Sequence, residues 1–544
     1  MRHLIATCLL TACVVGPSGP QPDPPLLQIT SPARSLIQDR AGSLVVTGMV
    51  APNPTGAAVA SVKVNDTPAT VSADGSFSAT IQLPAGATLI HTVALDAAGG
   101  TATDTRSVLA GERRASGSNV QDAIGVAVSP RVFTKLASIA TNAIKSANLM
   151  ALVGPLNPVV HSGDEAGPDC LYAQGFVDNV TITDAKITLA PVSGGLQISA
   201  TLQQPRITGH TRHAVACADG TSEFVITASS ATIGGVLTLG VNGMNGFTSE
   251  LANPVIQLPG LDITATNFPD ALLDVLPLEK VIQFVAPTAV RLFVNPMLND
   301  ALGALTGPQK LAVLGKTITI QVAPRAIAFD PGGGTVMLDM KMLFEGTPGA
   351  PGFTFTPNGM PSLDAGDGIA LGIADDLAND ALAQLTASGL LNINLVQEGS
   401  TFTTAKITAT SPPTISADGT DGKLRLIIPD MMVTFVDQAG TPVSRAAVNA
   451  QIPLAIKPAD GGSSIAIDLG TPAIAIDALD DLTGMTMPPE SEFAQTITLA
   501  TSAQKGSIAD TLKSIPLPKL GGITLSDVSV NGANGYVLVK TNLK

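Results

Sequence analysis

The chain of 544 residues contains no tryptophan, two tyrosines and fifteen phenylalanines, so any interior it builds is aliphatic, made of Val, Ile, Leu and Ala. Charge is scarce as well: charged residues are 13 %, and 29 Lys plus Arg stand against 43 Asp plus Glu for a formal net charge of −14. That balance argues against nucleic acid and against an electrostatic hold on anionic lipid surfaces. No run of eighteen apolar residues occurs, so no segment reads as a membrane-spanning helix. The apolar content, 45 % of residues, must therefore face a core or an apolar ligand.

Catalytic signatures are missing too. There is no Gly-x-Ser-x-Gly elbow, no Walker-type loop and no His-Glu-x-x-His pair, and Gly332-Gly333-Gly334 is not followed by the Lys-Ser/Thr that a phosphate loop needs. Of five histidines, His3 sits in the leader, and His91, His161, His210 and His213 stand near no nucleophile motif. The expectation is a protein that is not an enzyme and uses no cofactor and no metal. Asp477, Asp480 and Asp481 could present carboxylates to calcium but read rather as a solvated loop. Asp375, Asp376 and Asp380 read as exposed acids at a helix start.

What is present begins with an address. Arg2, the apolar run Leu4 to Leu10, and the small residues Thr11-Ala12 precede Cys13, which is signal-peptide architecture. Leu10-Thr11-Ala12-Cys13 looks like the lipobox of a bacterial lipoprotein, with acyl chains on Cys13 as a membrane anchor and the outer membrane of the cell envelope as destination. An ordinary secretory signal with an incidental Cys13 is the other reading. Val14 to Pro25 is a Pro- and Gly-rich tether. Cys8 leaves with the leader, so Cys170 and Cys217 remain as a pair in an oxidising compartment, where a disulfide is expected. A zinc site with His210 and His213 stays open as the alternative, although residues three apart on a strand point to opposite faces.

At this length two to four domains are expected. Residues 26–111 carry alternating runs, Ser43 to Gly48, Val59 to Val64, Phe77 to Ile81 and Leu89 to Leu95, with turns at Asn65-Asp66 and Asp74-Gly75. This spacing predicts a β-sandwich. Its V-x-V-N, D-G-S-F-S and D-x-A-G order resembles bacterial immunoglobulin-like modules, which usually act as spacers, and Gly111 to Ser118 suits a linker.

From Ala123 the texture changes in the same way twice. Ile124 to Val128 alternates as a strand and runs through Ser129-Pro130 into a helical pattern of Val132, Phe133, Leu136, Ile139, Ala140 and Ile144. About 245 residues later, Ile369 to Ile373 runs through Ala374-Asp375-Asp376 into Leu377, Ala381, Leu382, Leu385 and Leu390. Each half closes with a second helical stretch, roughly 276–305 and 489–514, which marks an internal duplication too long for a solenoid repeat.

These units, with Ser388-Gly389-Leu390-Leu391, Pro412-Pro413-Thr414-Ile415, Leu424 to Ile428, Ile515-Pro516-Leu517-Pro518 and the terminal Gly535 to Val539, resemble the family of bactericidal/permeability-increasing protein, lipopolysaccharide-binding protein and cholesteryl ester transfer protein, the tubular lipid-binding superfamily. The resemblance covers about residues 113–544. It implies an α+β fold of two tandem barrels, 112–325 and 326–544, each a twisted antiparallel sheet wrapped on a long helix and joined by a central sheet into a boomerang. It implies a phospholipid or other acyl lipid in two apolar tunnels, held or transferred. A lipid of some thirty methylenes, at about 0.8 kcal/mol each, leaves a bilayer only for an apolar site.

The walls expected are Val126, Val128, Phe133, Leu136, Ile139 and Ile144 with Ile282, Phe284, Val285, Leu292 and Phe293 in the first unit. In the second they are Leu371, Ile373, Leu377, Leu382, Leu385, Leu390, Phe493, Ile497 and Leu499. Ordinary core packing is the competing reading for each. The balanced charge of residues 113–325 departs from the cationic first barrel of antibacterial members, which puts lipopolysaccharide-phosphate binding in doubt. A structural or adhesive surface lipoprotein with closed barrels is the alternative function, and an envelope protein is a possible partner in either case.

Overall fold

The computed structural model describes residues 23–164, 171–215, 217–242, 246–266, 309–313, 316–346, 352–356, 360–396, 403–416, 424–459, 464–481, 515–516 and 525–543. Cys13, Cys170, Ile282, Phe284, Val285, Leu292, Phe293, Phe493, Ile497 and Leu499 lie outside the described residues, as do the stretches 276–305 and 489–514.

The N-terminal unit is a sandwich of two sheets. One orders Leu26–Ser31, Gly42–Ala51, Ser76–Leu83 and Thr70–Val71; the other orders Leu36–Gln38, Thr101–Ala110, Gly86–Asp96, Val59–Val64 and Thr67–Pro68. Strict alternation along Ser76–Leu83 sends Phe77, Ala79, Ile81 and Leu83 inward, where they meet Val46, Val50, Val62, Val64, Ile90 and Val108. Asn65 and Asp66 both take positive φ, 43° and 65°, and so turn Val59–Val64 back into Thr67–Pro68. The stretch read as a linker carries the strand Glu112–Arg114, which pairs antiparallel with Phe353–Phe355, and the Arg114 guanidinium stacks 3.4 Å over the Phe355 ring.

The centre of the molecule is a seven-stranded sheet ordered Gln309–Val313, Lys316–Asp330, Gly333–Phe344, Val120–Val128, Ile369–Ala374, Tyr536–Leu543 and Leu525–Ala533. Its two middle strands are the opening strands of the duplicated units, and they pair antiparallel with each other: Ile124 with Ile373, Val126 with Leu371, Val128 with Ile369. Leu371 follows Val126 by 245 residues (371 − 126), the interval that also separates the helix starts at Pro130 and Asp375 (375 − 130). Val126 thus pairs with its own counterpart, which places a pseudo-two-fold axis through that pair. A two-residue hairpin flanks each side, Asp330 pairing with Gly333 and Ala533 with Tyr536.

The helices are α1 (Pro130–Ser146), α2 (Leu149–Val153) and α3 (Asp375–Ala387), followed in number by far more strands, so the described residues are predominantly β and rich in sandwiches. This overturns the expected α+β fold of barrels wrapped on long helices. Helical spacing identifies a helix, but wrapping requires strand pairing that closes around it, and pairing is long-range. Beyond α1 the strands divide into a five-stranded sheet (Val160–Gly163, Tyr172–Thr181, Arg206–Val215, Ala218–Thr227, Asp262–Thr266) and a separate four-stranded sheet (Asp184–Val192, Gly195–Gln203, Ser230–Asn242, Gly246–Gln257). α1 lies on the second, with Phe133 and Leu136 against Leu189, Leu196, Ile198 and Leu237, and α2 lies on the first. α3 rests on Gly333–Phe344, Phe353–Phe355 and Thr414–Ser416, while the second half builds its own eight-stranded sheet. Among the described residues no sheet encloses a helix.

Candidate functional site

Alternation along the two middle strands sorts their side chains by size. One face of the central sheet carries Ile124, Val126 and Val128 beside Ile373, Leu371 and Ile369; the other carries Gly125 and Ala127 beside Gly372 and Ala370. The small face is closed. A Cβ on Gly125 would stand 2.8 Å from Leu363 Cδ1, and one on Gly372 would stand 3.2 Å from Pro361 and Leu363, so paired glycines let that segment lie flat on the sheet.

The aliphatic face is not closed. Ile124, Val126, Val128, Leu371 and Ile373 are all half-buried, whereas Ile369 is buried. At one end Val128 joins Phe133, Leu136 and Phe329, with the Phe133 and Phe329 rings 6.0 Å apart. At the other, Ile124 and Ile373 join Leu377, Tyr536 and Phe353. Between these two cores lies the Val126–Leu371 pair on the pseudo-axis, in neither cluster.

The structure therefore brings together part of the expected wall set. Val126, Val128, Leu371 and Ile373 share one surface, which Phe133 and Leu136 border on one side and Leu377 on the other. Ile139 is half-buried farther along α1 and Ile144 is buried near its end. Leu382 is half-buried, Leu385 packs in a different cluster with Ile318, Met342 and Phe344, and Leu390 is exposed just past α3. Cys217 is disulfide-bonded, and His210 forms a surface pair with Asp178 at 2.9 Å while stacking on Phe176.

The acids of α3 are not exposed. Asp375, Asp376 and Asp380 are buried, and the helix uses its polar side chains to hold neighbouring backbone. Thr356 N donates to Asp376, Gly117 N to Asp380, and Ile415 N to Asn379 Oδ1 while Asn379 Nδ2 donates back to Ile415 O. Gln384 accepts from Phe344 N at 2.8 Å and donates to Met342 O at 3.0 Å. Burial pushes the Asp380 carboxyl up to about 6, against the pull of hydrogen bonds from Gln384 and Gly117. Burial, helped by Asp122, Asp376 and Asp375, pushes the Tyr536 phenol up to about 12, and its hydroxyl donates to Asp122 O. Asp477, read from sequence as loop, sits buried on the strand Ala473–Asp481.

Residues missed from sequence are Arg34, Thr105, Ser107, Asp430 and Asn449, which form one hydrogen-bonded group where the N-terminal sandwich touches the second half; Arg34 and Thr105 bond Asp477, while Ser107 and Asn449 bond Asp430. A signal for them exists: Asp430 and Asn449 interrupt otherwise apolar runs at Leu426 to Val433 and Ala446 to Ala450, and a polar residue at an inward position requires a partner.

A family model described as glucodextranase, domain B, matches residues 25–111, the two-sheet sandwich. No curated protein matches the chain. Among solved structures, the chain is similar to a lipopolysaccharide binding protein at 16 % identity and TM-score 0.40, over 78 % of this chain and 99 % of that one. It is also similar to P47 of Clostridium botulinum E1 at 9 % identity and TM-score 0.26, over 78 % and 100 %. The P47 of Clostridium botulinum A2 stands at 10 % and 0.27, over 77 % and 97 %. Likenesses at this level carry no argument, and the fold rests on the strand pairing given above.

Proposed function

We propose that the chain is a lipid-binding protein of the bacterial outer membrane, anchored through acyl groups on Cys13, that holds or transfers a phospholipid-like molecule. The observation that carries this reading is the half-buried aliphatic face at Val126 and Leu371. A sheet face of branched aliphatics that stays partly accessible between two closed cores is where an acyl chain gains most by leaving water, about 25 cal/mol per Å² of apolar surface covered. A wall of branched aliphatics, on a chain with no tryptophan, suits a flexible apolar ligand. Recognition falls on the acyl chains, since the net charge of −14 offers little to an anionic head group. Pairing of Cys217, which is disulfide-bonded, with Cys170 belongs to this reading and suits an extracytoplasmic protein.

Transfer of a fluorescent phospholipid between vesicles tests it, with the Cys13→Ser protein as comparison. The soluble variant is expected to keep lipid and to transfer it; absence of both uptake and transfer in either form would favour a purely structural or adhesive lipoprotein.

A further inference from the structure

The strand Thr101–Ala110 pairs along one edge with Gly86–Asp96, but its other edge meets Leu36–Gln38 only from Val108 onward. An unpaired strand edge invites a partner. Here the partner is a set of side chains on the second half. Thr105 N donates to Asp477 Oδ2 at 3.1 Å, and Ser107 N and Oγ donate to Asp430 Oδ2 at 3.0 and 2.8 Å. Thr105 O accepts from Asn449 Nδ2 at 2.9 Å and from Arg34 at 2.7 Å.

Charge is unbalanced at this contact. The Arg34 guanidinium reaches Asp104 at 3.0 Å and both Asp430 and Asp477 at 3.1 Å, and those side chains are 16 %, 17 %, 2 % and 7 % exposed in that order. Of these carboxylates Arg106 reaches Asp104, and it also donates to Pro32 O and Ile29 O. Three carboxylates thus face two guanidiniums, with one excess negative charge out of water. The other titratable or charged residues on the elements packed here are His91, whose Nδ1 meets Thr105 Oγ1 at 2.9 Å, Asp96 at the end of its strand, and the strand positions Arg425, Arg445, Lys457, Asp480 and Asp481 farther along the second half. Asp430 accepts from Arg34, Asn449, the Ser35 and Ser107 amides and the Ser107 hydroxyl, whereas Asp477 accepts from Thr105 N and Arg34. Five donors thus converge on Asp430, while two reach Asp477.

We propose that Arg34, Asp104, Asp430 and Asp477 form a proton-operated latch between the N-terminal sandwich and the second half, closed firmly with a proton on Asp477 and loosened when all three carboxylates are charged. Burial, opposed by Arg34 and reinforced by Asp104, pushes the Asp477 carboxyl up to about 6. Undocked, that carboxyl returns to water and its ordinary range, so the docked form binds the proton more tightly. Docking is then strongest in acid and weakens as pH rises through about 6.

Hydrogen exchange of the Thr105 and Ser107 amides in the full chain reads the latch, with rates corrected for intrinsic chemistry. Protection should be about tenfold greater at pH 5 than at pH 7.5, while amides of the sandwich core such as Val46 stay unchanged. Asp477→Asn should abolish the difference, and His91→Gln should leave it intact. Should Asp477→Asn fail to fold, Asp104→Asn serves instead, removing a repelling charge and moving the midpoint below that of the parent chain. Equal protection at both pH values, a difference that survives Asp477→Asn or vanishes with His91→Gln, or an unmoved midpoint in Asp104→Asn would overturn the latch.

Discussion

Asp380 is fully buried on α3, and no Lys or Arg is among the groups that set its proton affinity; its hydrogen bonds come from the Gly117 amide and the Gln384 carboxamide. A carboxyl held up to about 6 in the folded chain and near its ordinary value in the unfolded one stabilises the fold when protonated. As pH rises from about 4 to about 6 the unfolded state ionises first, and up to about 3 kcal/mol of stability is lost. Asp380→Asn keeps an acceptor for Gly117 without the charge. Thermal unfolding should show the variant more stable than the parent at pH 7.5, with the gain gone near pH 4; a parent curve flat across that interval would contradict the assignment. The pseudo-two-fold sharpens the contrast between halves: 245 residues before Asp376 and Asp380 stand Arg131 and Lys135 (376 − 245 and 380 − 245), both exposed on α1.

At the scale of elements, α1 begins without the usual help. Ser129 occupies the N-cap position, yet its side chain caps nothing and its Oγ is buried with no hydrogen-bond partner, while Pro130 supplies the pre-set first turn. Ser129→Ala should therefore cost well under the roughly 1 kcal/mol of a lost N-cap, and chemical denaturation giving a full 1 kcal/mol loss would show a capping bond in solution. Gly125 behaves oppositely. Its substitution by Ala brings a methyl to 2.8 Å from the end of the half-buried Leu363 side chain, which must shift, and the expected cost is about 1 kcal/mol by the same measurement. The strand-helix junctions at Val128–Pro130 and Ala374–Asp375 were legible in sequence, because a change of period from two to three-and-a-half is local. Which sheet each strand joins was not. The acids of α3 show why: Asp380 is tied to Gly117 across 263 residues and Asp430 to Ser107 across 323, and no window on the sequence contains both partners. Asp375, Asp376 and Asp380 were read as exposed because acids at a helix start usually are, and the covering strand Phe353–Phe355 overrode that rule.

At the scale of the whole molecule, Val120–Val128 joins the first half to the second by pairing antiparallel with Gly333–Phe344 and Ile369–Ala374, and ionic and apolar contacts join the N-terminal sandwich to the second half. The sandwich is thus fastened through Arg34 and its carboxylates, through the apolar contact of Ala87 and Leu109 with Ile427, and through Glu112–Arg114 on Phe353–Phe355, and it presents as a docked unit rather than a loose spacer. The aliphatic face at the pseudo-axis, by contrast, stays half-buried between two closed cores. Native mass spectrometry of the gently purified chain, with Leu371→Asp alongside, tests that face most directly. Bound lipid of phospholipid mass on the parent chain, lost from a folded Leu371→Asp protein, is the predicted result; a parent chain free of lipid, or a variant that keeps it in full, would contradict lipid binding at this site.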